Sequence, residues 1–212
     1  MPELTGLTGL SGMSERLPER AIMTDDPMRA KMLAAHWLDN AREIYELRGM
    51  IGYIGTYKNM ALCIISSGYG ESSTLTYLND AFIIGVRRML YIGECISVVT
   101  DIKPRDIIIA SGGDAALTQD ALSISKQLSI PASVRDVETN DRLFIERKPI
   151  SGDIVDFATS SIYQFSSEHG IAALTILTVT RNTATGDHME DHERQSRFHS
   201  ATQLSFETII CR

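Results

Sequence analysis

The chain has 212 residues, of which 43% are hydrophobic and 22% charged, the balance of a globular domain rather than a disordered one. At this length a single domain buries roughly 70% of the surface that the unfolded chain exposes. A formal net charge of -7 argues against nucleic acid or an anionic membrane as partner.

The first residues, with Gly6, Gly9 and Gly12 among scattered polar side chains, have neither a basic n-region nor an apolar h-region. No apolar run reaches the roughly 18 residues that a membrane span needs. Cytoplasmic residence is the expectation. Cys63, Cys95 and Cys211 are odd in number and lack metal-like spacing, so reduced thiols are expected.

Short apolar runs then alternate with helix-like segments. Strands are predicted at Ala61 to Ser66, Met89 to Ile92 and Asp106 to Ala110, with helices at Ser73 to Ile84 and Leu117 to Leu128. The unbroken runs Ile107 to Ile109 and Leu174 to Val179 suit strands buried on both faces. Ser160 to His169 and His188 to Ile209 read as helices, Lys148 to Gly152 as a turn cluster, and Asn182 to Asp187 as a polar loop. The rhythm predicts an α/β fold with helix layers on both sides of a sheet. Three breaks fall where strands should end, which is where open α/β sheets gather ligands.

His188 and His192 would stand four residues apart on a helix, near Asp187, Glu190, Asp191 and His199. The pair lacks the central Glu of a His-Glu-x-x-His site, and acidic residues suit a helix start in any case. No metal is expected.

The stretch Asp26-Pro-Met-Arg-Ala-Lys31, followed by Leu47-Arg-Gly-Met-Ile-Gly-Tyr-Ile-Gly-Thr-Tyr-Lys58, resembles two adjacent signatures of the hexameric bacterial purine nucleoside phosphorylases. The match is densest over Asp39 to Lys58 and runs from about Ile22 to Ile210, with a shortened loop after Ala110. It implies one nucleoside phosphorylase-like domain over 22–212, a three-layer α/β/α sandwich with a central mixed sheet. The segment 1–21 matches the family poorly and lacks the histidine that a neighbouring subunit normally contributes.

The resemblance implies a pentosyltransferase of purine metabolism, using phosphate as co-substrate and no cofactor. It implies phosphate contacts at Arg29, at Gly70 in Ser67-Gly-Tyr-Gly70, and at Arg48, which relatives lend to the neighbouring subunit of a dimer. Three such dimers build the family's hexamer. Nucleoside contacts fall on Tyr69, Phe144, Val155, Asp156 and Phe157.

The residues also carry plain structural readings. Asp26-Pro27 is a helix start, Ser67 to Gly70 a tight turn, Phe144 a core aromatic and Arg194 a solvated helix charge.

Several positions depart from the family's pattern. Asp25 stands for a glycine, Tyr91 for an arginine, Glu94 for a hydroxyl residue and Ile96 for a glycine. Ala158 stands for the glutamate that grips the ribose hydroxyls, and Arg181 for the aspartate that protonates the leaving base. An arginine cannot serve as that acid. Arg29 and a lent Arg48 would face Asp25 and Glu94, net zero. Each carboxylate about 5 Å from a phosphate charge costs on the order of 3 kcal/mol at an effective dielectric near 20, so phosphate should bind poorly.

Three readings follow: impaired phosphorolysis of a purine nucleoside, a non-catalytic paralogue that binds nucleoside or assembles with an active relative, and a phosphate-independent hydrolase. Glu94 and Arg194 are the candidates for a direct part in chemistry.

Overall fold

The computed structural model describes residues 16–142, 152–196 and 198–211. Ten strands form one mixed sheet: β1 Arg20–Thr24, β2 Asp39–Leu47, β3 Met50–Tyr57, β4 Met60–Ser66, β5 Arg88–Ser97, β6 Ile107–Ala110, β7 Ala132–Arg135, β8 Glu138–Thr139, β9 Ile154–Asp156 and β10 Ala172–Asn182. The main path runs β2-β3-β4-β1-β5-β10-β6-β7, with β9 joining β5 and β8 joining β9. The helices are α1 Pro27–Trp37, α2 Glu71–Ile83, α3 Ala115–Gln127, α4 Thr159–His169, α5 Asp191–Ser196 and α6 His199–Ile209.

The central strands β4, β1, β5 and β10 are parallel, so their carboxyl ends lie along one edge. β6 is antiparallel to β10, and β2 and β3 extend the other side as an antiparallel hairpin. β10 alternates between two cores. Ala173, Leu177 and Val179 pack with Tyr77 and Leu78 of α2 and Ile162 of α4, while Leu174 and Ile176 pack with Leu33 of α1, Leu117 of α3 and Leu204 of α6. A strand buried on both faces lacks the regular polar alternation of a half-exposed one, and Leu174 to Val179 is apolar but for the buried Thr175 and Thr178. Helices thus cover both faces, as the three-layer expectation required.

Local chemistry fixes the helix starts near the site. Pro27 opens α1, and the Asp26 side chain accepts from the Met28 amide at 2.8 Å, satisfying one of the donors that a helix start leaves over. The two-residue turn between β2 and β3 is Arg48-Gly49, both at positive φ (57° and 79°), the conformation that matches strand twist in a tight hairpin. Asn182 ends β10 with its side chain buried. Its amide donates to the Val99 and Ile102 carbonyls, both at 2.7 Å, and its oxygen accepts from the Ala184 and Thr185 amides. That side chain pins the loop after β5 to the end of β10.

One predicted element is corrected. His188 to Ile209 is not continuous helix: helix begins at Asp191, and Phe198 separates α5 from α6. The Met189 amide is committed to the Thr180 carbonyl at 2.8 Å, and His188 bridges back to Arg181. Backbone tied to β10 cannot also enter a helical ladder, so His188 and His192 do not share a helix face. Among the described residues no group of three or more His, Cys, Asp or Glu could hold a metal ion, and no helix is long and apolar enough to cross a membrane. The turn cluster at Lys148 to Gly152 falls outside the described residues except for Gly152.

Candidate active site

The site lies at the carboxyl ends of β1, β4, β5 and β10, with α5 above them. Arg29, on the first turns of α1, points inward and is only 3% exposed. Its Nη1 donates to Asp25 Oδ1 at 2.6 Å and to Thr24 Oγ1 at 3.0 Å, and its Nη2 donates to Glu94 Oε1 at 3.0 Å. The guanidinium lies 4.0 Å over the Phe198 ring, a cation-π contact. Burial alone would lower the Arg29 pKa, but Asp25 and Glu94 hold it above the ordinary arginine value. Burial pushes the Asp25 carboxyl up, opposed by the neighbouring Arg29 guanidinium.

Glu94, on β5, carries the second half of the network. Its Oε2 accepts from Arg194 Nη2 at 2.7 Å and Nε at 3.2 Å. One carboxylate therefore joins two guanidiniums, from α1 and α5, in the charge-assisted geometry that an oxyanion also adopts. Arg194 is not the solvated helix charge that its sequence position allowed. Asp25 and Glu94 pair with Arg29 within the chain, so neither depends on Arg48 for a partner. Arg48 sits exposed at the hairpin tip. Burial raises the Tyr77 hydroxyl, and Arg48 is close enough for its charge to oppose that rise.

The glycine loop after β4 leads into α2. Gly70 holds φ at 90° and caps the helix without a side chain of its own. Asp141 supplies the missing acceptor, its Oδ2 taking the Glu71 amide at 3.2 Å. A Cβ on Gly70 would meet that same oxygen at 3.1 Å. The helix start that could hold an outside anion thus already holds a carboxylate.

Asp156, at the end of β9, is 1% exposed. Its carboxylate accepts from Thr139 Oγ1 at 2.6 Å, from Thr159 Oγ1 at 2.5 Å and amide at 2.9 Å, and from the Ala158 amide at 3.3 Å. Burial raises its pKa, and these donors act against the rise. The side chain caps α4 and has little capacity left for a ligand. Val155 is fully buried beside Ile96 and Phe157, and Tyr69 rests against Phe157 with ring centroids 4.8 Å apart. Phe144 lies outside the described residues.

Between these groups is a cavity of about 180 Å³, whose walls include Tyr69, Phe157, Ile96, Arg181, Glu94 and Arg194. Ligand pockets commonly measure about 300–1,000 Å³, so this one is small for a base together with a pentose. A cavity of about 490 Å³ lies between α1 and α6, behind Arg29, lined by Met32, Leu33, His36, Trp37, Phe198 and Thr202. Among the described residues, Arg29 is the only predicted site residue on its wall. Sequence reasoning did not single out Thr24, Phe198 or Asp141. Thr24 and Phe198 are neutral residues placed by the fold beside Arg29, and Asp141 is distant in sequence from the helix it caps.

A mixed sheet between two helix layers, with a charged pocket at the carboxyl ends of its parallel strands, defines an α/β protein of the nucleoside phosphorylase type. The profile of the Phosphorylase superfamily matches residues 19–133, and the chain belongs to that family. Curated relatives carry the name purine nucleoside phosphorylase DeoD-type. The protein of that name from Colwellia psychrerythraea (strain 34H) is 29% identical over 220 residues, spanning 91% of this chain and 94% of the relative. That from Bacillus subtilis (strain 168) is 28% identical over 221 residues, spanning 92% and 95%. The crystal structure of a purine nucleoside phosphorylase from Toxoplasma gondii in complex with immucillin-H superposes with a TM-score of 0.80 at 17% identity, covering 92% of this chain and 91% of that one. At that identity the superposition speaks for fold alone, and the fold expected from sequence is the fold observed.

Proposed function

We propose that this chain is a purine nucleoside phosphorylase-like protein whose nominal reaction is phosphorolysis of a purine nucleoside to free base and pentose 1-phosphate, and that this reaction is impaired. The class is supported by the relatives' names and their near full-length match. The impairment rests on one observation: the Glu94 carboxylate lies between Arg29 and Arg194. Stabilising the transition state of such a displacement is mainly a matter of positioning and electrostatics. A carboxylate fixed between the two cations opposes both, at about a hundredfold in rate for the roughly 3 kcal/mol that one misplaced charge costs. Cytoplasmic residence and a homo-oligomer built on dimers, up to a hexamer, belong to this proposal.

A second reading, a non-catalytic paralogue that binds nucleoside or assembles with an active relative, draws support from the pentose side. Asp156 is spent on capping α4 and Ala158 offers no carboxylate, whereas Arg48 stands exposed at a hairpin tip where it could reach a neighbouring subunit. The hydrolase reading would need a carboxylate such as Glu94 or Asp25 to activate water and gains nothing from the geometry, because both are engaged by guanidiniums.

The test is release of free base from inosine, adenosine, guanosine and uridine by purified protein, with and without phosphate, beside a DeoD-type relative. Phosphate-dependent release at least a hundredfold slower than the relative's is expected, and no release selects the second reading. Turnover matching the relative's would refute the impairment, and release indifferent to phosphate would restore the hydrolase.

A further inference from the structure

We infer that Glu94 is an internal anion that keeps an oxyanion site shut, and that the Arg29 and Arg194 guanidiniums would hold a tetrahedral oxyanion, inorganic phosphate being the natural probe, once that carboxylate is gone. The inference rests on the functional reading above and adds a residue that decides which ligand the site accepts.

The geometry is that of a ligand rather than of a surface ion pair. Glu94 is 9% exposed, and its two oxygens are divided between two cations from different helices, Oε1 to Arg29 and Oε2 to Arg194. Arg29 is fixed from below by Asp25 and Thr24 and from one face by Phe198, so it stays in place when Glu94 is shortened. Arg194 is partly exposed and borders the cavity that also reaches Glu94, which gives an outside anion a path. Charge explains why the site is closed. Arg29 and Arg194 against Asp25 and Glu94 sum to zero, Asp191 being 3.7 Å from Arg194 but fully in solvent and so screened, and removal of Glu94 leaves one net positive charge. The amide at the start of α2 does not compete for the anion, because Asp141 already occupies it.

Glu94→Ser shortens the side chain and removes its charge, and Glu94→Gln removes the charge at nearly constant size. The assay is calorimetric binding of inorganic phosphate, with sulfate in parallel, together with melting temperature in phosphate against chloride at matched ionic strength. Wild type is expected to show no saturable phosphate binding below tens of millimolar. Glu94→Ser is expected to bind phosphate at least tenfold more tightly than wild type, with a smaller gain for Glu94→Gln, and Arg194→Ala in the Glu94→Ser background should abolish the gain. If either Glu94 variant folds and gains no phosphate binding, the inference fails while the functional reading stands. If the gain survives Arg194→Ala, the two-guanidinium site is wrong. Tight phosphate binding by wild type would overturn the inference, whereas phosphate-dependent turnover at a relative's rate would overturn the reading beneath it.

Discussion

Replacing Arg29 by Met leaves two buried carboxylates facing each other with one partner fewer. Among the described residues, Asp25 would keep only the Thr24 hydroxyl, at 3.3 Å, and Glu94 only Arg194. Removing one member of a buried ion pair costs about 3–5 kcal/mol, since the survivor loses its partner without regaining water. For a chain of this size that is a fall in melting temperature of roughly 6–20 °C. The deficit should depend on pH in a defined direction. Burial and the nearby Glu94 and Asp26 charges raise the Asp25 carboxyl, and Arg29 is its main opposing influence. In the variant the folded-state pKa therefore moves further above the unfolded value, and the folded state holds its proton more tightly. Stability of such a group is present at low pH and is lost as pH rises from the unfolded value of about 4 through the folded one. The gap between variant and wild type, read by urea denaturation, should be widest near pH 7.5 and narrow toward pH 5. Combining Arg29→Met with Asp25→Asn and Glu94→Gln should recover more than half of the loss, because no uncompensated carboxylate remains buried and the Arg194 guanidinium that loses Glu94 is partly exposed. A deficit under about 1 kcal/mol at pH 7.5, or one that widens on acidification, would refute the reasoning.

Gly52 lies opposite Tyr45 across the β2–β3 pair, and a Cβ there would overlap the Tyr45 ring; Gly52→Ala should cost about 1–3 kcal/mol by overpacking, visible as a lower urea midpoint with unchanged m-value. The Tyr163 hydroxyl donates to the Ala110 carbonyl and accepts from the Thr175 amide, each at 3.0 Å, so Tyr163→Phe should lose about 1–3 kcal/mol in the same measurement. Burial pushes that hydroxyl up to about 12. Its contribution is thus present below the unfolded tyrosine pKa of about 10 and lost as pH rises toward 12, and the variant's stability should fall less steeply across that window.

The sheet was legible because its central strands are buried on both faces and so carry dense apolar runs, unbroken over Ile107 to Ile109 and interrupted by two buried threonines over Leu174 to Val179. The segment before α5 was not, because what stops a helix there is pairing with β10 through the Met189 amide, a tertiary commitment that local periodicity does not register. The same distinction runs through the site. That Asp25 and Glu94 place negative charge beside Arg29 could be read from the residues that the resemblance aligned. That Arg194 reaches Glu94 could not, since the two lie a hundred positions apart and nothing in either neighbourhood names the other. Asp156 was aligned by the resemblance with a ligand contact, and its residue type suits one. Its donors, Thr139 and Thr159, show that residue type leaves open which way a carboxylate is spent.

The anion between Arg29 and Arg194 is covalently part of the chain, and this alters how the fold answers to its surroundings. A protein whose site binds an outside ligand gains stability by mass action, rising with ligand concentration. Glu94 is present at a fixed effective concentration, so its share of the folded state's stability does not vary with the concentration of phosphate in solution. Growth conditions that would swing the melting temperature of a phosphate-loaded homologue should leave this chain's nearly constant.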